Sequence, residues 1–211
     1  MLEIEYKGGN GVVLSTKKAT IVVDPKLSVV GLKDIHSKNA IELATEARFA
    51  LNADDAQLCI EGPGEYGIAD VDIRGVAAQR HLDSEVDPKR STMYRIEVGD
   101  IRLALLGNIY EKLNEDQLES LGVVDVLIIP VGGNGYTLDA DGAASLVRQI
   151  EPKVVIPVHY HDDALSYEVS QADVETFTTA LGAPVEQMAK LKLKSATSLP
   201  AVLTVYIVQR S

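Results

Sequence analysis

The chain has 211 residues, of which 46% are hydrophobic and 24% charged, and its 31 acidic and 20 basic side chains leave a formal charge of −11. That length and composition support a substantial core, while no apolar run approaches the roughly 18 residues of a membrane span. The acidic balance disfavours a nucleic-acid partner, and a lone cysteine, Cys59, excludes an internal disulfide and a Cys-based zinc cage.

The N-terminal MLEIEYKGGN lacks the basic start and apolar stretch of a signal peptide, so a cytoplasmic location is expected. Residues 1–6 alternate apolar and charged side chains, as in a half-buried strand. The turn signal Gly8-Gly9-Asn10-Gly11 precedes residues 11–15 and 19–23, which pair as a hairpin ended by Asp24-Pro25. Residues 26–38 have no period and read as a loop holding His36. Residues 40–51 (AIELATEARFAL) fit helix or strand equally. Residues 57–60 form a short strand, and Glu61-Gly62-Pro63-Gly64-Glu65 a tight turn. Residues 71–76 are a further strand, followed by a polar surface loop, 79–90, that contains His81. Residues 92–98 and 101–106 make a second hairpin across Gly99-Asp100. Asn114 caps a helix that Gly122 stops.

Residues 122–161, GVVDVLIIPVGGNGYTLDADGAASLVRQIEPKVVIPVHYH, organise the chain. Two short β-branched runs, 123–130 and 153–158, flank a glycine turn and a helix from about Asp139 to Ile150. Unalternating runs of this kind are strands buried on both faces, and strand, crossover helix and strand form a βαβ unit. In open α/β sheets ligands sit at the carboxyl ends of strands, which places His159 first among site candidates. His161, two residues on, shares its face if the strand continues. Ser170 and Asp173 form a capping-box pattern opening a helix that Gly182 stops, and residues 201–208 are a last strand. Lys190, Lys192 and Lys194, at alternate positions, read as a solvated strand face. With no linker or fixed repeat, one α/β (α+β) domain over residues 1–211 is the simplest organisation.

These residues carry a resemblance. IEYKGGNGVVLSTKKATIVVDP is similar to the opening of metallo-β-lactamase-fold proteins. EGPGEYGIADVDIRGV, DIRLALLGN, LGVVDVLIIPVGG and IEPKVVIPVHY resemble more specifically a bacterial subgroup of metal-dependent hydrolases in that superfamily. The resemblance covers about residues 4–160, and the remainder loosely. It implies a four-layer αββα sandwich, with two face-to-face sheets, helices outside and a metal site at one edge between the sheets.

That family is recognised by HxHxDH at a strand end, where alternate residues point the same way and grip a metal that turns bound water into hydroxide near neutral pH. The motif is absent here. The resemblance aligns its two first His with Glu46 and Arg48, its Asp with Ala50 and its last His with Leu51. A later family His corresponds to His81 in QRHLD, the Asp of LGD to Asn108 in LLGN, the final His to His159, and the His after the first strand to Gly9.

Each candidate also has a structural reading. His159 is equally a strand-end histidine bonded to backbone, and His36 and His81 are surface residues. Glu46 and Arg48 pair with each other or with Asp54 and Asp55. Asn108 closes a turn, and Cys59 is a buried small hydrophobe. The glycine turn lacks GxxxxGK[ST], and no GxSxG elbow appears.

Three functions are therefore kept open, with no catalytic residue assigned. The first is a hydrolase-like protein that has lost its metal ligands and survives as a binding or scaffold pseudoenzyme, needing no cofactor and capable of self-association. The second is a zinc-dependent hydrolase with a remodelled site around His81, His159, His161 and an acid such as Glu46 or Asp83. The third is a metal-free small-molecule binding module in which Asn108, Arg48, Tyr136 and His159 supply polar contacts, with Thr137 beside them. The expected partner is an unidentified small molecule or protein, and neither a nucleic acid nor a membrane.

Overall fold

The protein is described from a computed structural model over residues 1–82 and 90–211. Two sheets form the body. A six-stranded sheet contains β1 (Leu2–Gly8), β2 (Gly11–Ser15), β3 (Thr20–Val23), β4 (Ile41–Leu43), β5 (Leu58–Ile60) and β13 (Leu191–Leu193). Its order is β13-β1-β2-β3-β4-β5. An eight-stranded sheet contains β6 (Gly64–Ile68), β7 (Val71–Gln79), β8 (Arg90–Val98), β9 (Ile101–Leu105), β10 (Val126–Pro130), β11 (Val154–Val158), β12 (Val185–Met188) and β14 (Thr204–Val208). Its order is β12-β14-β11-β10-β9-β8-β7-β6. The α-helices are α1 (Glu115–Leu121), α2 (Ala140–Ile150) and α3 (Val174–Leu181). Among the described residues, no helix is long and apolar enough to cross a membrane.

The strand patterns explain the layering. Val126 and Ile128 of β10 face a cluster between the sheets, shared with Leu2, Ile4 and Leu14 of the six-stranded sheet. Leu127 and Ile129, pointing the other way, join a second cluster with Ala143, Leu146 and Val147 of α2 and Phe177 of α3. Both faces of β10 and β11 are thus buried, as their unbroken apolar runs predict. β1 keeps one wet face, where Glu3 pairs with Lys190 at 2.8 Å and Lys192 at 3.1 Å across β13. These lysines form the solvated strand face expected of them.

The helix ends follow their caps. Asn114 and Gln117 make a reciprocal capping box at α1, which stops at Gly122. Asp139 caps α2 through Gly142 N–H. α3 begins after Asp173, whose side chain makes no cap bond, so the Ser170–Asp173 box does not form. The ambiguous residues 40–51 resolve into the short strand β4 and a 3-10 turn, Ala47–Phe49. Residues 26–38 include a 3-10 turn, Leu27–Val30, closed by Gly31 at φ 81°. The turn read at 61–65 runs into β6, which pairs with β7 through Gly64↔Gly75. Gly75 has no room for a side chain, since a Cβ there would lie 2.6 Å from the Gly62 carbonyl. Cys59 corrects its expectation: it lies exposed on β5, an edge strand, instead of buried.

One buried carboxylate ties the parallel strands at their amino ends. Asp125, 1% exposed, accepts from Arg102 N (3.0 Å), Nε (2.8 Å) and Nη2 (3.0 Å). Its own carbonyl accepts from Lys153 N and Val154 N, both at 3.0 Å. These bonds set β9, β10 and β11 in register. The Arg102 guanidinium, with burial opposing it, holds the Asp125 carboxyl below the ordinary carboxylate range. Asp125→Ala is expected to cost about 2 kcal/mol, the scale of hydrogen bonds to a charged group. Urea denaturation at constant slope measures it.

Candidate functional site

Carboxyl ends of five strands and one hairpin turn meet at one end of the sandwich. Thr45–Arg48 follow β4, Arg80 and His81 follow β7, Asn108 follows β9, and Tyr136 and Thr137 follow β10. His159 follows β11, and the β1–β2 turn brings Gly9 and Asn10. Main-chain bonds fix this meeting. His159 N–H donates to Gly9 O at 2.8 Å, His81 N–H to Asn108 O at 2.8 Å, and Thr92 N–H to Thr45 O at 2.8 Å.

Glu46 is its charged centre, 4% exposed. Arg48 approaches side-on, with Nη2 3.3 Å from Oε1 and Nε 3.0 Å from Oε2. Arg80 Nη1 donates to Oε2 at 3.1 Å, and Asn108 Nδ2 to Oε1 at 3.2 Å. Asn10 Nδ2 in turn donates to Asn108 Oδ1 at 3.0 Å. A buried carboxylate is tolerable only when its charge is balanced and its lone pairs are used, and two guanidinium groups with an amide do both here. Asp24 lies behind it, 2% exposed, accepting from Thr45 N and Oγ1, each at 2.7 Å. Burial, which outweighs these bonds, pushes its carboxyl up to about 7.

His159 is the second centre. Its φ of 51° bends the chain sharply after β11, so His161 does not share its face as a continued strand would require. His161 lies outside, its side chain 46% exposed and 3.1 Å from Asp163. The His159 ring stacks on Tyr136, with centroids 5.4 Å apart and planes 16° apart, and meets Tyr167 at 4.8 Å. Nδ1 lies 3.1 Å from Gln171 Oε1. The Gln171 amide nitrogen donates to Val169 O at 3.0 Å, which fixes Oε1 as the end facing the ring. Nδ1 therefore carries the proton and Nε2 the lone pair. Burial, first among the causes, lowers His159 to about 4, so the ring is neutral near pH 7. Gly132 permits this contact, because a Cβ there would lie 2.1 Å from Gln171 Oε1 and 2.3 Å from His159 O.

Arg48 joins the two centres. Its guanidinium lies 4.6 Å from the Phe49 ring centroid and 4.9 Å from that of Tyr136, within cation–π range. Its Nη1 faces Glu168 at 3.5 Å. Burial pushes the Tyr136 phenol up to about 12, which keeps it protonated.

Glu46, Arg48, Asn108, Tyr136 and His159 thus lie together at this end, and Arg48 pairs with Glu46 and not with Asp54 or Asp55. His81 is half-buried, and its Nδ1 makes no hydrogen bond among the described residues. His36 is exposed and pairs with Asp55 at 3.0 Å. Asp83 lies outside the described residues. Arg80, Asn10, Tyr167, Glu168 and Gln171 were not singled out from sequence. Asn10 carried only a turn signal, and nothing local marked the others. Among the described residues, no group of three or more His, Cys, Asp or Glu is placed to hold a metal ion.

Residues 3–159 match the family described as the β-lactamase superfamily domain. The chain belongs to that family. Within the β-lactamase superfamily it is similar to a UPF0173 metal-dependent hydrolase of Thermococcus onnurineus, with 26% identity over 165 residues, 72% of this chain and 71% of the relative. A UPF0173 metal-dependent hydrolase of Thermoplasma acidophilum is 35% identical over 68 residues, 31% of this chain and 28% of that relative. The share of these relatives' length that is matched therefore runs from about a quarter to seven-tenths. Among solved structures, a Thermotoga maritima protein assigned to the Zn-dependent hydrolases of the metallo-β-lactamase superfamily superposes with TM-score 0.77 at 23% identity, over 99% of both chains. Igni18, a metallo hydrolase of Ignicoccus hospitalis, superposes with TM-score 0.66 at 16% identity, over 92% of this chain and 99% of that one. These likenesses establish the fold, a metallo-β-lactamase sandwich.

Two predictions test the geometry. Gly132→Ala drives a methyl into Gln171 and the His159 carbonyl, an overpacking expected to cost about 1–3 kcal/mol. Loss of the His159 Nδ1–H signal in nitrogen-resolved NMR, beside a lower melting temperature, reads the displaced Gln171. Asp24, raised in the folded chain from an unfolded value near 3.9, stays protonated when folded while its unfolded form ionises. Its contribution is therefore intact below about pH 4 and lost as pH rises toward 7, by roughly 1.4 kcal/mol per unit. Asp24→Asn removes this loss, so urea-denaturation stabilities of variant and parent diverge in the variant's favour from pH 4 to 7.

Proposed function

We propose that this member of the β-lactamase superfamily works without a metal ion, as a binding or scaffold protein and not as a hydrolase. One observation carries the reading: the Glu46 carboxylate is occupied by the Arg48 and Arg80 guanidiniums and the Asn108 amide. This donor set does not fit a dication. Among the described residues, Glu46 is its single carboxylate, and both of its oxygens accept from N–H groups. Arg48 brings positive charge to the position the resemblance gives to a ligand. Asn108 turns its Nδ2 donor inward and spends its Oδ1 on Asn10. A metal would have to displace two guanidiniums and an amide from a buried anion, which is unfavourable.

A second reading takes up the relatives' names, metal-dependent hydrolase, with zinc on His81, His159 and His161. It is favoured by the His159 ring, whose Nδ1–H rests on Gln171 and whose Nε2 keeps its lone pair, the state a metal-bound imidazole needs. Against it stands His161, turned outward beside Asp163.

Elemental analysis of protein purified without chelator separates the two. The first reading expects well under one equivalent of zinc, manganese or iron, and a melting temperature unmoved by EDTA. One equivalent or more, lost on His159→Ala, overturns it in favour of the second.

A further inference from the structure

We infer that Arg48 is the anchor of a site for small carboxylate ligands, and that Glu168 occupies it as an internal competitor. The inference rests on the metal-free reading above and names the ligand class for the same cluster of strand-end residues.

The Arg48 guanidinium is held in advance of any ligand. Its Nε/Nη2 edge lies side-on against Glu46, at 3.0 and 3.3 Å. Its plane is flanked by Phe49 and Tyr136 at 4.6 and 4.9 Å. Its chain leaves a 3-10 turn, Ala47–Phe49, that starts from the buried Glu46. A fork fixed in this way loses little rotamer freedom on binding an anion. What remains is the Nη1 end, which points to the rim, where the side chain is 29% exposed. An arginine edge presented outward beside an aromatic ring matches a planar carboxylate better than a spherical ion.

Glu168 shows which chemistry this edge accepts. Its carboxylate lies 3.5 Å from Nη1, and its side chain is 64% exposed. The two carboxylates of Arg48 are therefore unequal. Glu46 is buried and held by three groups, whereas Glu168 is a solvated surface group whose pairing is weak. Displacing Glu168 returns it to water at small cost, and displacing Glu46 would strand a buried charge. An incoming carboxylate therefore takes the Glu168 place. The formal charge of −11 opposes anions at long range, so binding depends on this local fork and is measured at fixed ionic strength.

Isothermal titration calorimetry with sodium acetate, succinate and benzoate, at ionic strength held with sodium chloride, tests the site on the intact chain. Glu168→Gln, an exposed and conservative change, is expected to tighten carboxylate binding about fivefold, the upper scale of an exposed ion pair. Arg48→Gln is expected to abolish it. Because Arg48→Gln also removes one of the two guanidiniums on Glu46, side-chain arginine NMR of the Glu168→Gln protein supplies a second reading: the Arg48 Nη signals shift on titration. Equal affinity in parent and Glu168→Gln, no binding by Glu168→Gln, or unmoved Arg48 signals overturns the inference. Elemental analysis of the same preparation separates the two failures. Metal-free protein that binds no carboxylate overturns this inference alone, and metal-loaded protein overturns the reading beneath it.

Discussion

Glu46 is a buried carboxylate, and a buried charge dictates what surrounds it. Arg48 reaches it from two residues away, Arg80 from 34 and Asn108 from 62. These groups arrive from the ends of β4, β7 and β9, so the charge cluster joins both sheets of the sandwich. Removing one guanidinium would leave an anion in a medium that solvates it poorly. The cluster therefore acts as one unit, and the strand ends that supply it are held together by the same requirement. Asn10, at the β1–β2 turn, extends the unit through Asn108.

A different logic governs His159. Its neighbours are rings and an amide, and it is buried. The left-handed bend at φ 51° turns the imidazole between Tyr136 and Tyr167, while Gly132 leaves space for Gln171. Burial of a neutral imidazole lowers its proton affinity, and burial of the Asp24 carboxyl raises that of its own side chain. The two effects pull stability in opposite directions with pH. His159 favours the folded chain as pH rises from about 4 to its unfolded value, and Asp24 favours it as pH falls.

Membership of the β-lactamase superfamily accounts for the frame around these groups. Paired sheets, a βαβ crossover and polar groups at strand ends are features of backbone and core, and they tolerate different side chains at the rim. A shared sandwich consequently says little about chemistry, which lies in particular atoms at one end of it. Here those atoms belong to a carboxylate, guanidiniums, amides, a phenol and a neutral imidazole.

Local pattern determined much of the framework. The runs in β10 and β11 are apolar on consecutive residues because both faces are covered, and that was legible without coordinates. So were Asn114 and Gly122 bounding α1, Gly182 ending α3, and the β2–β3 and β8–β9 hairpins, since caps and turns are interactions between residues a few positions apart. The pairing of Glu46 with Arg48 was also readable, being two residues in span. Tertiary structure decided the rest. β6 and β12 carry weak local signals and form only because a neighbouring strand offers its edge, and Cys59 is exposed because β5 is an edge. His161 leaves the site because one backbone angle at His159 reverses the face that strand periodicity would have given it. Arg80, Gln171 and Glu168 enter it across long chain separations, where no pattern in a linear sequence records proximity. The amino-acid order specified which groups were available, and only the closing of two sheets on one another fixed which of them met.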